Sequence, residues 1–300
     1  METVIDLDIP PHEPVLVLNG LLDTDTNARV VISHSVGAFS NTAPAFINNA
    51  NVLLYKGSQF IDSLLPDTTN FVYVHYTDDN YNTDSLLMHY YKRDHTPEKN
   101  TTYRVDVSHS DYTSISAETF IPDDIIVYNI DVDTISNEDK IGLTFSFDDN
   151  ANQQNYYRLK VFSSCIKEWE DEWGNNQEWG YRGDAYMMSN DPSFPSDIPW
   201  EGYTFSGRRV VFSDALFNGQ QKTIILDVQS DLKYAYCDTL IIEFSTFSDD
   251  TYSYYNSLGD HSEKGELGLF GGEVIPVYSN VENGLGVLIS TNAQKIYLKP

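Results

Sequence analysis

TYRVDVSHS, residues 102–110, is the stretch on which the fold turns. Tyr103, Val105 and Val107 fall on one side of an extended chain, and Arg104, Asp106 and Ser108 on the other. A period of two marks a strand with one buried and one wet face. The same beat runs in both directions from it. Upstream lie VLVLNGLL (15–22), ARVVISHS (28–35), a hairpin ANVLLYKGSQFIDSL (50–64) bent at Lys56-Gly57, and SLLMHYYK (85–92). Downstream lie SISAETFIP (114–122), IIVYNIDV (125–132), KIGLTFSF (140–147), NYYRLKVFSS (155–164), QKTIILDVQS (221–230) and TLIIEFSTF (239–247). Short alternating strands separated by turn residues are the pattern of β-sandwiches.

The expectation is an all-β chain in two sandwich-like units. Residues 1–14, with three prolines and no period, read as an extended leader or tether. Residues 15–122 form a first sandwich of immunoglobulin- or transthyretin-like type. Residues 123–300 form a larger one, beginning after Pro122-Asp123-Asp124. One short helix is expected there: Ser248-Asp249-Asp250 can start it, and Tyr252, Tyr255 and Leu258 sit at helical spacing. The second unit also carries an insert, residues 165–205, that is too long and too aromatic for a routine connection. It holds all four tryptophans of the chain, Trp169, Trp173, Trp179 and Trp200.

Composition narrows the function. The net charge of -27 repels phosphate backbones, which excludes nucleic acid as a partner and opposes docking on anionic lipid. No segment approaches the roughly 20 apolar residues of a membrane helix. Two cysteines, Cys165 and Cys237, are too few for a disulfide framework, and a single bridge between them stays open.

Several segments together resemble one family. They are IDLDIPPHEPVLVLNGLL at the N-terminus, FSFDD (145–149) followed by NYY (155–157), FSDALFNG (212–219), TYSYYNS (251–257) and the closing PVYSNVENGLGVL (276–288). In this order they are similar to Bacteroidota lipoproteins grouped as domain of unknown function 4249. In the closing segment, Asn283-Gly284 is expected to supply positive φ for a tight turn before the last strand. The resemblance implies export, with anchoring to the outer membrane through an acylated cysteine preceding this chain, so that the membrane is met only through that lipid. It also implies an accessory role beside a TonB-dependent outer-membrane receptor. It supplies no catalytic residues.

The residues themselves offer no nucleophile elbow, paired-histidine zinc motif, phosphate loop or dinucleotide fingerprint. The expected function is therefore non-enzymatic: an accessory or substrate-binding subunit of a TonB-dependent importer, handling a glycan, peptide or chelated nutrient. An adhesin or structural subunit of another outer-membrane complex is the alternative, and a hydrolase the third reading. The candidate contact residues are Trp169, Trp173, Trp179, Tyr181 and Trp200. Indoles stack on sugar or peptide surfaces, and Glu168, Glu170, Asp171, Glu172 and Glu178 beside them accept hydrogen bonds or meet cations. Ligand contact, partner contact and plain packing of a long loop all remain open for these aromatics. Trp169, Trp173 and Trp179 are expected near one another at one end of the second unit, acids outward, at least one indole partly exposed. No cofactor is expected. Asp23, Asp25 and Asn27 mimic the first half of a calcium loop but lack its glycine and terminal glutamate, so a solvated turn is expected there.

Overall fold

The structure, a computed structural model, describes residues 12–37, 45–77, 83–134, 140–196, 202–265 and 276–299. It is all-β, with one α-helix among the described residues and, among them, no helix long and apolar enough to cross a membrane. Two compact units divide the chain, Met1–Phe120 with Ser253–Ser290, and Ile121–Tyr252 with Thr291–Pro300. The sequence expectation placed everything after residue 122 in the second unit; the segment from Ser253 to Ser290 instead returns to the first.

The first unit is built from β1 (Leu16–Asp23), β2 (Arg29–His34), β3 (Asn51–Lys56), β4 (Gln59–Thr77), β5 (Thr83–Lys92), β6 (Thr101–His109) and β7 (Tyr112–Ile121). Tyr103, Val105 and Val107 of β6 are buried, as are Leu16 and Leu18 of β1 and Val30 and Ile32 of β2. β4 serves two partners. Its first part, as far as Leu64, pairs with β3, and from Leu65 onward it pairs with β5, with a register shift between Pro66 and Phe71. Pro66 has no N–H for a ladder, so the break falls where the chain cannot donate. Asp67 stabilises the break: its carboxylate accepts from Thr69 and Asn70 and meets Lys92 Nζ at 2.5 Å. Lys92 and these donors hold its carboxyl far below the usual carboxylate range.

The second unit contains β8 (Val127–Thr134), β9 (Lys140–Asp148), β10 (Tyr156–Glu170), β11 (Asn176–Asp184), β12 (Tyr186–Ser189), β13 (Phe205–Gly207), β14 (Arg209–Ser213), β15 (Gln221–Gln229) and β16 (Cys237–Phe247). Helix α1 (Asp249–Gly265), β17 (Val281–Glu282) and β18 (Leu285–Leu298) complete the chain. β9 and β15 lie in a five-stranded sheet ordered β13-β12-β15-β9-β8. Its buried face supplies Leu143, Phe145, Phe147, Ile224 and Leu226 to a core shared with Leu159, Val161, Ile242 and Phe244 of β10 and β16. That is a two-layer sandwich, closed because each strand turns every second side chain inward. The helix starts where expected: Ser248 Oγ accepts from Thr251 N at 3.1 Å.

The segments that carry the family likeness are joints of this scaffold. Asp149 of FSFDD accepts from the Tyr157 hydroxyl of NYY and, at 2.7 Å, from Gly219 N of FSDALFNG. Asp214 of the same segment is buried and accepts from Asn155 N at 2.8 Å. Burial, with Asp149 adding to it, raises the Asp214 carboxyl above its usual value. Tyr156 stacks on Tyr252 of TYSYYNS at 4.0 Å and donates to Asp249. In the closing segment, Asn280 exchanges hydrogen bonds with the backbone of Leu288. The expected turn is present, with a division of labour that differs from the expectation. Positive φ belongs to Asn283 (60°) and Gly286 (100°). Gly284 is needed for space: a Cβ there would lie 2.6 Å from Ile115 Cγ2 and 2.7 Å from Leu16 O.

Candidate functional site

β10 is buried at alternate positions as far as Cys165, where its pairing with β16 ends at Cys237. Beyond that point only β11 accompanies it. Residues 166–170 and 176–180 form a two-stranded ribbon, paired Lys167 with Trp179, Glu168 with Glu178, and Trp169 with Gln177. The expected long loop is thus a continuation of a core strand. The turn at its tip is organised by Asp171, whose Oδ1 accepts from Trp173 N at 3.0 Å and Asn175 N at 2.8 Å. Gly174 takes the positive φ, 80°, that the reversal requires.

A ribbon of two strands has little stability of its own. Its base is fastened by covalent and polar contacts. Cys165 and Cys237 are joined in a disulfide between the neighbouring strands. Tyr181 donates to Asp231 at 3.1 Å, and partial burial with this carboxylate pushes the phenol up to about 12, so it remains a donor at neutral pH. Trp179 stacks on Tyr181 at 4.9 Å, which ties the first exposed indole to that base. Lys167 lies 5.8 Å from the Tyr236 ring.

The ribbon is amphipathic. Paired residues share a face and successive residues alternate. Trp169, Trp179 and Tyr181 therefore lie on one face with Lys167 and Gln177. Glu168, Glu170 and Glu178 lie on the other, where Glu168 directly opposes Glu178. Opposed like charges weaken an isolated ribbon, and a cationic neighbour removes that cost. Trp169 is 46% exposed, Trp179 54% and Trp173, in the turn, 83%. Single apolar residues at a surface are ordinary; here three exposed indoles stand on one short ribbon, two of them on its aromatic face and one in its turn. Trp200 lies outside the described residues.

The aromatic residues of the site were visible in the sequence, and their two-faced arrangement was not. Another exposed apolar ribbon escaped the sequence reading altogether, where Phe71, Val72 and Tyr73 of β4 run beside Leu87 of β5 in the first unit. The alternation of Phe71, Tyr73 and His75 was its signal, masked by Pro66 just before it.

Asp23, Asp25 and Asn27 sit in a turn after β1. Asp23 accepts from Asp25 N, Thr26 N and Thr26 Oγ1, and Asn27 bonds Asp94 and Thr96. Among the described residues no group of three or more His, Cys, Asp or Glu side chains is placed to hold a metal ion. The expected outcome is one melting temperature in calcium and in EDTA. A calcium-dependent rise of several degrees, measured by scanning calorimetry, would show that these turns take up the ion.

A search of curated proteins finds no match to this chain. A family model does match, over residues 2–296, from the leader through nearly the whole of β18. With all but a few terminal residues covered, the chain belongs to the family described as Domain of unknown function (DUF4249).

Proposed function

We propose that the protein is a non-enzymatic surface lipoprotein that serves as an accessory or substrate-binding subunit of a TonB-dependent outer-membrane importer. The ribbon of residues 166–180 is its contact element. One observation supports this above the rest: three exposed indoles stand on a ribbon whose base is fastened by a disulfide and a tyrosine–aspartate bond. A fastened base reduces the ordering entropy that a contact must overcome, and aromatic anchors supply most of the energy of a typical interface. A cystine also fits an oxidising, extracytoplasmic compartment. The aromatic face suits an apolar or sugar-like surface, and the acidic face suits cations on the same partner.

Affinity capture from native outer membranes tests the reading, with the tagged full chain as bait. A receptor barrel recovered as the main partner is the expected result. Recovery of a different outer-membrane complex would favour the structural-subunit alternative and overturn the importer assignment. Turnover of a peptide or glycan panel by the pure protein would overturn the non-enzymatic one.

A further inference from the structure

The chain carries 18 Lys and Arg against 45 Asp and Glu, yet cations gather at one place in the second unit. Lys160 of β10 is paired directly with Arg209 of β14, and Arg158 lies two residues along the same strand. Like charges directly opposite one another destabilise a sheet. On the neighbouring strand the carboxylate beside them is Glu243, and Arg158 takes it: the Arg158 guanidinium is 3.2 Å from Glu243 Oε1, whereas Lys160 Nζ is 4.0 Å away. Arg158 Nε is buried with no hydrogen-bond partner. The side chains of Arg208 and Arg209 form no hydrogen bond or ion pair with any described residue, and both residues are exposed.

Lys160, Arg208 and Arg209 line a cleft of about 350 Å³ together with a single carboxylate, Asp184. Three cations and one anion leave the cleft with a net charge of about +2. We propose that this cleft binds a doubly charged oxyanion, a sulfate or phosphate group borne by a ligand. Two guanidinium forks and an ammonium suit the oxygens of such a group, and the dianion neutralises the charge that Glu243 does not reach. Burial, then the adjacent Arg158 and Arg209, lowers the Lys160 amine from its usual value, so the empty cleft holds its charge at a cost that an anion would relieve. The cleft is separate from the ribbon: residue 160 is about 30 Å along β10 from residue 169. It does not depend on the ribbon's role.

Titration calorimetry with inorganic sulfate, and in a second arm inorganic phosphate, tests the proposal at constant ionic strength with chloride as balancing anion. Saturable one-to-one binding is expected in at least one arm, and the arm that binds more tightly identifies the preferred oxyanion. Arg208→Ala/Arg209→Ala should weaken it at least tenfold. Asp184→Asn, which removes the exposed carboxylate of the cleft, should tighten it severalfold, and Lys56→Ala, which removes a cation paired with Glu98 in the first unit, should leave it unchanged. Circular dichroism checks that each variant is folded. Absence of saturable heat in both arms overturns the proposal. So does binding that survives the arginine pair's removal, since that places the anion elsewhere.

Discussion

Replacing Cys165 and Cys237 together by serine is expected to lower the unfolding free energy by roughly 4 kcal/mol. The bridge closes a loop of 72 residues, so it removes much freedom from the unfolded chain. It also joins β10 and β16 at the last rung of their ladder, where the register already shifts between Ser164 and Cys165. Without it, the ribbon's base would still be held by the Tyr181–Asp231 bond, the Ile166–Tyr236 backbone bond and Lys167 against the Tyr236 ring, all of them non-covalent. Denaturant unfolding of the double variant and of the wild type, with and without reductant, gives the number. A loss under about 1 kcal/mol would mean that the sheet holds itself and the cystine adds little.

Phe244→Ala is expected to cost about 3–5 kcal/mol. Phe244 is fully buried and packs against Phe147 at 4.9 Å, Tyr157 at 5.5 Å, Phe145 at 5.7 Å and Phe212 at 6.4 Å between ring centroids. These four neighbouring rings come from three strands, β9, β10 and β14, so no single strand can move to fill the void. Trp173→Ala, by contrast, should change stability by less than about 0.5 kcal/mol, because most of that indole is already in water. Equal losses from the two substitutions, measured by thermal or denaturant unfolding, would contradict this division between core and contact aromatics.

Where a strand buries one face, its sequence announced it. β6 alternates cleanly, and β9 buries Leu143, Phe145 and Phe147 as its side chains suggested, with Ser146 buried as well. Where a strand leaves the core, alternation still sorts aromatic from acidic residues, but both faces stay largely exposed and no buried apolar face marks the strand. β10 runs on from Cys165 to Glu170 with Trp, Glu and Lys, which match no burial pattern because no described residue buries them. β4 was cut short at Leu64 because Pro66 forbids a regular ladder, and the bulge at Asp67 that accommodates it depends on Lys92, from a different strand. The return of Ser253–Ser290 to the first unit was equally hidden. It rests on non-local contacts, such as Gly284 against Leu16 and Ile115, which a turn motif cannot reveal. The site showed the same split. Residue type marked the indoles, but pairing register decided that Trp169 and Trp179 share a face opposite three glutamates. The pairing of the two cysteines also needed the strand order, since their spacing alone left it open.

The central claim is that the indoles of the ribbon serve contact and do not hold the fold. The most direct measurement combines the melting temperature of Trp169→Ala/Trp173→Ala/Trp179→Ala with its capture of the proposed receptor barrel from native outer membranes. Loss of affinity by about 1–3 kcal/mol for the most important indole, with a melting temperature close to that of the wild type, is the predicted result. A melting temperature lowered as far as that of Phe244→Ala, or capture of the barrel undiminished by the loss of all three indoles, would contradict it.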